Sequence, residues 1–259
     1  MNKAWYKFIE DIDEAKIKLD FQDGEECFYR GHSNREWKVL PSLLRHAKNA
    51  NLKAYDIRAL EADLFFEFQS RAQSLHLQNL SDWEVLQFMR HHGVATRLLD
   101  WTETLGVALF FAVHGIAKDS KPCIWLLNPY KLNEHEKSWF TRDLISPKYR
   151  GKKDDFWDYS EYMTDFVKPY SFGWKHPIAL YPVQRSARLQ SQRGYFTIHG
   201  DYVRPLEDID SSSVCRLDIA EEIIPEIKKF LELAGINDYT MFPDLDGLAR
   251  DLHRKYNIS

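Results

Sequence analysis

Apolar positions along the chain fall into helical and strand-like periods, and the densest of them lie between residues 81 and 117. Ser81 followed by Glu84 reads as a capping box, in which each side chain accepts from an unpaired backbone N–H at a helix start, so a helix is predicted to begin there. Val85, Leu86, Phe88 and Met89 form its apolar face, Arg90, His91 and His92 its last turn, and Gly93 can take the left-handed conformation that closes a helix. Asp100 followed by Glu103 repeats the start signal, and the next helix, predicted from Leu105 to Ile116, is apolar on almost every side, as expected of a helix buried in a core. At about 13 residues it is too short to span a membrane. Between the two helices lies a polar connection, His91 to Thr102, held at both ends by rigid elements, which is where function tends to concentrate.

Elsewhere the pattern predicts an amphipathic helix over residues 3–19, with Trp5, Phe8, Ile9, Ile12 and Ile17 on one side. A short strand follows in Glu26-Cys-Phe-Tyr-Arg-Gly-His, ending at Gly31, then an extended piece around Trp37-Lys-Val-Leu before Pro41. Residues 41–78 are helical with a break near residues 48–51, and Leu60, Leu64, Phe65 and Phe68 make an apolar stripe. Pro122-Cys-Ile-Trp-Leu-Leu is a near-continuous apolar run, expected as an inner strand covered on both faces. Residues 129–176 carry aromatics and mixed charge with little sustained period. Further strands are predicted at Ile178–Tyr181, Tyr195–His199 and Val214–Ile219, then a helix from Ala220 to Ala234 with Pro225 in its first turn and Gly235 beyond its end. A short helix closes the chain over residues 243–256. This mixture reads as one α+β domain over residues 1–259, with 1–24 a flanking helix and 25–259 the core.

Composition narrows the classes. Of 259 residues, 44% are hydrophobic and 14% aromatic, which excludes a disordered chain. The first residues lack the apolar core of a signal peptide. The three cysteines, Cys27, Cys123 and Cys215, show no zinc-ligand spacing and read as buried thiols in a reducing compartment, so a cytoplasmic protein off the membrane is expected. A net charge of −4 argues against a globally basic nucleic-acid binder but leaves room for a local patch.

There is no Gly-x-Ser-x-Gly elbow, no glycine-rich phosphate loop, no His-Glu-x-x-His and no zinc quartet, and no metal is expected. Arginine, histidine and small polar residues instead gather at three predicted element ends: Arg30 with His32, the stretch from His91 to Thr102, and Arg188 with Gln192. If they converge, they line an anion-friendly cleft. Each also has a plainer reading. Arg30 could pair with a carboxylate at a strand edge, and His91 or His92 could complement a helix dipole. Arg97 and Asp100 could pair locally and shape the turn, and Arg188 and Gln192 could be solvated surface. The run Lys148-Tyr-Arg-Gly-Lys-Lys, with Phe156 and Trp157 after it, could touch nucleic acid, or, diluted by Asp154, Asp155 and Asp158, be a solvated loop.

Phe28-Tyr-Arg-Gly-His, Trp37 and Pro41-Ser-Leu-Leu-Arg45 resemble the opening motif of FRG domains. His91-x-Gly-x-x-Thr-Arg-Leu-Leu-Asp-Trp-Thr with Val107–Ala112 is similar to that family's longest motif, Arg188-x-x-x-Gln192-x-Gly194-x-Phe196 to its third, and Phe242-Pro-Asp-Leu-Asp-Gly-Leu to its C-terminal end. Arg90 stands where glutamine is usual and Ala95 where proline is usual, so the loop lacks the fixed φ that proline would supply. More remotely, Tyr-Arg-Gly on a strand followed by a Thr-rich turn and Val-Ala-Leu-Phe-Phe-Ala resembles two of the three signatures of ADP-ribosyltransferases. The third region offers Gln190 and Gln192 in place of their glutamate.

That remote resemblance implies a small split mixed/antiparallel sheet flanked by helices, with NAD as substrate in the cleft. Tyr29, Arg30, Gly31, His32, Thr96, Arg97, Trp101, Thr102 and Arg188 would bind the dinucleotide, with Arg30 as a fork on the pyrophosphate. His91 would be the general base, Asp100 the remaining carboxylate, and Gln192 the residue at the glutamate position. The implied activity is ADP-ribosyl transfer or NAD cleavage, and family context suggests a toxin or defence role. Two alternatives stand beside it: a nucleic-acid binder or nuclease gripping phosphates through Arg30, Arg97 and Arg188, and a non-catalytic nucleotide-sensing module. Nucleic acid could also be the acceptor.

Overall fold

Among the described residues six strands make one sheet: β1 (Phe28–His32), β2 (Leu98–Thr102), β3 (Cys123–Leu127), β4 (Ile178–Leu180), β5 (Gly194–Ile198) and β6 (Val214–Asp218). Their order is β4-β5-β2-β1-β3-β6, and every pairing is antiparallel. The protein is therefore α+β with an antiparallel sheet, one of the two expected forms, but the sheet is continuous rather than split. The computed structural model describes residues 2–72, 75, 80–117, 119–134, 144, 176–182, 186–200, 203–256 and 258. The basic run from Lys148 lies outside them.

The helices are α1 (Lys3–Lys18), α2 (Ser42–Asn49), α3 (Ala54–Ala72), α4 (Asp82–His91), α5 (Leu105–Val113), α6 (Pro129–Glu134), α7 (Ala187–Ser191), α8 (Leu206–Ile209), α9 (Ile224–Leu233), α10 (Asp238–Met241) and α11 (Leu245–Lys255). Successive side chains of a strand point to opposite faces, and β3 shows the result. Its Ile124 and Leu126 join a core with Trp5, Phe8 and Ile12 of α1, Val107–Phe110 of α5 and Ile227 and Leu231 of α9. Its Cys123, Trp125 and Leu127 join a second core with Phe28, Trp101 and Tyr130. Both faces are covered, as the unbroken apolar run requires. Ile17, placed on the apolar side of α1 by its spacing, is instead 80% exposed.

The capping box at α4 forms as expected, with Ser81 and Glu84 bonding reciprocally, and Gly93 beyond the helix end has φ +81°. The second start signal does not operate. Asp100 lies within β2, and α5 begins only after Thr104, which makes no side-chain cap. Leu98 and Leu99 are buried on opposite faces, and β2 pairs with β5 at five consecutive positions, so the ladder satisfies a backbone that the local signal assigned to a loop and cap. The extended piece at Trp37 is a turn rather than a strand, with Trp37 N donating to Asn34 O and Leu40 N to Lys38 O. β1 already has β2 and β3 as neighbours, so β1 itself offers this segment no free edge.

Gly31 is fixed by space. A Cβ there would lie 1.9 Å from Ala108 O and 2.6 Å from Ala112 N, because the α5 backbone rests directly on β1. Cys27 and Cys123 are buried free thiols, pushed up to about 12 by that burial, and Cys215 is half-buried. Among the described residues no helix is long and apolar enough to cross a membrane.

Candidate functional site

β1 and β2 pair at a single position, Tyr29 opposite Thr102. Beyond it Arg30 bridges the seam: its Nη1 donates to Asp100 O at 2.6 Å, and its Nε donates to His32 Nε2 at 2.9 Å. Since His32 Nε2 accepts, its Nδ1 carries the proton and faces Trp37 O at 3.2 Å. Burial and the Arg30 charge hold His32 down at about 3, so it is a neutral acceptor that orients the arginine. Burial, with Arg90 and Arg45 nearby, also lowers the Arg30 guanidinium to about 10, against the pull of Asp100, and it stays charged at neutral pH.

Arg90, in the last turn of α4, places Nε and Nη2 on Asp100 Oδ2 at 2.7 and 2.5 Å. Burial opposes ionisation of Asp100, but Arg90 and then Arg30 outweigh it and keep the carboxyl below its usual range. The same partner raises Arg90. The Asp100 side chain remains 45% accessible from the cleft. Arg188 of α7 lies over the Phe242 ring at 4.8 Å. Burial, the Arg188 charge and His92 lower His91, which leaves its imidazole neutral at pH 7. Arg45, on α2, donates to Leu40 O and is lowered by burial and by Arg90.

A cleft of about 730 Å³ joins these groups. Tyr29, Arg30, Gly31, His32, His91, Asp100, Trp101, Thr102, Arg188 and Gln192 all border it, so the three polar clusters of the sequence meet. Thr96 and Arg97 do not border it. Thr96 is fully buried and its Oγ1 accepts from Leu98 N. Arg97 does not pair with Asp100: its N and Nε donate to Glu61 at 2.9 and 2.5 Å, in a pair buried on both sides. A row of Arg30, Arg97 and Arg188 gripping phosphates therefore loses its middle member.

Several bordering residues are committed to structure. Trp101 Nε1 donates to Thr197 Oγ1, and Tyr29 sits in the core beneath Lys16. Thr102 Oγ1 donates to Gln192 O at 2.7 Å and accepts from Thr104 N, while Gln192 Nε2 donates to Met241 O at 2.9 Å. Gln192 thus ties β2 to the C-terminal turn. α5 is scaffold and wall together, since Val107, Ala108 and Phe111 border the cleft.

Residues 25–121 match the family model of the FRG domain. The chain carries an FRG domain. No curated protein and no solved structure matches the chain. The FRG domain span supplies Arg30, His32, Arg45, Arg90, His91 and Asp100, whereas Arg188, Gln192 and Phe242 come from chain beyond it. Arg90, Arg45 and Phe242 join the site only through the fold. Their signals lie in the sequence: Arg90 departs from the FRG pattern beside His91, and Arg45 and Phe242 stand inside stretches that resemble that pattern. Among the described residues no group of three or more His, Cys, Asp or Glu is arranged to hold a metal ion.

Proposed function

We propose that the cleft binds NAD or a related dinucleotide, and that its chemistry is cleavage or transfer at the nicotinamide bond. The observation that carries this reading is the charge balance. Among the described residues, Arg30, Arg45, Arg90 and Arg188 face one interior carboxylate, Asp100; of the other acids described there, Glu84 is spent in its capping box and Glu36 pairs with Arg35. Four guanidiniums around one carboxylate favour an anionic ligand, and a pyrophosphate matches the planar forks. The apolar wall of Val107, Ala108, Phe111 and Phe196 suits a flat ring.

In the step proposed, the bond between ribose C1′ and the nicotinamide nitrogen breaks, and nicotinamide leaves with the electron pair. Ionised Asp100 stabilises the positive charge that develops at C1′. Neutral His91 takes the proton of the attacking nucleophile, water for cleavage or an acceptor group for transfer. The fold relationship to ADP-ribosyltransferases, a cytoplasmic setting and a role as toxin or defence effector belong to the same proposal. A second reading, nucleotide sensing without chemistry, is favoured by Gln192, whose amide is held by Met241 O, and by Asp100, already neutralised by Arg90.

Calorimetry with NAD tests the binding. Arg30→Lys keeps the charge but loses the fork, and should weaken NAD by about 1.5–3 kcal/mol, roughly ten- to a hundredfold. Absence of heat with the wild-type protein ends the reading. Binding without release of nicotinamide or ADP-ribose leaves the sensing alternative in its place.

A further inference from the structure

The border of the cleft also carries Trp37, Lys38 and Lys48, which the dinucleotide reading leaves unused, beside Arg45, which it shares. Trp37 is 55% exposed on the turn between β1 and α2. It is nevertheless held, because its N–H donates to Asn34 O and its carbonyl faces His32 Nδ1. Across from it, Arg45, Lys48 and Asn49 stand three and four residues apart on α2 and so share one helix face. Lys38 follows Trp37, 57% exposed, with its Nζ 3.9 Å from Glu207. Trp37, Lys38, Arg45, Lys48 and Asn49 all border the same cleft.

An exposed indole presents a flat face on which a nucleic-acid base can stack, and the hydrogen bonds at Trp37 N and O hold its backbone at the cleft border. Three cations beside such a platform match a strand whose bases stack while its phosphates pass the cations. We infer that this shelf binds single-stranded nucleic acid, with a base on Trp37 and the backbone along Lys38, Arg45 and Lys48. A duplex hides its base faces in its own stack and offers Trp37 only an end. An acidic peptide would meet the cations but leave the indole uncovered. The net charge of −4 is no obstacle, since the recognition is local. The inference goes beyond the dinucleotide reading and does not depend on it.

The test is fluorescence anisotropy on the full chain with labelled oligo-deoxythymidine and oligo-uridine of about ten nucleotides, within the usual footprint for stacking platforms. The duplex of the same length and a polyglutamate competitor are the controls. Both single strands should bind, more tightly than the duplex, with log affinity falling against log salt at a slope of about −2 for three cations. A difference between the two strands would tell whether a 2′-hydroxyl or a thymine methyl adds to the shared chemistry. Trp37→Ala should weaken binding about five- to 150-fold, and Lys48→Glu should weaken it and flatten the salt slope. Both variants should keep the wild-type melting temperature, since both side chains are exposed. The inference is overturned if neither strand binds, if both variants bind like wild type, or if polyglutamate displaces the strand at equal charge. If NAD gives no heat while Trp37→Ala still weakens the strand, the dinucleotide reading falls and the shelf stands.

Discussion

Arg30 and Asp100 meet where the sheet has its weakest seam, with Arg30 Nη1 donating to the Asp100 carbonyl at 2.6 Å and standing 3.9 Å from its Oδ2. Seventy residues separate them in the chain. The guanidinium does the work of a missing ladder bond and also faces the cleft, so Arg30 is at once a sheet residue and the leading candidate for ligand contact.

Arg30→Lys should therefore cost stability as well as affinity. A lysine ammonium cannot reproduce the paired geometry toward His32 and the Asp100 carbonyl, and an unmet buried acceptor costs about 1–3 kcal/mol. Urea unfolding of the unliganded variant measures this. An unchanged midpoint would show that the seam does not rely on Arg30.

Arg90→Gln installs the residue usual in the FRG pattern and removes the charge that holds Asp100 ionised. The Asp100 pKa in the folded protein lies below its unfolded value, so its contribution to stability is present above the unfolded pKa, about 3.9, and is lost as pH falls through the folded one. Without Arg90, burial has less to oppose it and the folded pKa rises. The acid limb of the melting-temperature profile should move to higher pH, read by calorimetry between acid and neutral buffers. A superimposable acid limb would contradict the pairing.

Gly31→Ala should destabilise by about 1–3 kcal/mol or more, because the new methyl meets the α5 backbone at Ala108 and Ala112 and neither can step aside like a side chain. Guanidinium unfolding checks it. A neutral effect would mean that α5 can lift from β1.

Arg97→Ala should cost about 3–5 kcal/mol, since it leaves Glu61 buried without its partner. The loss would appear as instability in the absence of any ligand. A variant of wild-type stability that had lost only phosphate affinity would return Arg97 to the site.

Phe242→Leu keeps apolar bulk against Phe110 and Phe111 but removes the ring face on which Arg188 and Arg250 rest, at 4.8 and 5.1 Å. A cation–π contact of about 0.5–2 kcal/mol should be lost from the positioning of Arg188, so NAD affinity should fall about two- to thirtyfold with little change in melting temperature. Equal affinity would place Arg188 outside the ligand's reach.

Local chemistry made much of the frame legible. The capping box at Ser81 and Glu84, the turn at Gly93, the all-round apolarity of α5 and the two-sided burial of β3 are decided within a few residues of chain. So was the likeness of residues 28–45 and 91–112 to the FRG pattern, and the meeting of Arg30, Asp100 and Gln192 was foreseeable as three polar clusters without another shared reason. The tertiary structure decided the rest. Whether Leu98–Thr102 is a loop or a strand depends on β5, almost a hundred residues later. Arg97 finds Glu61 across 36 residues, and Gln192 finds Met241 across 49. An arginine carries the same five donors wherever it stands, and only burial and the positions of distant acceptors determine whether they are spent on the fold or left for a ligand.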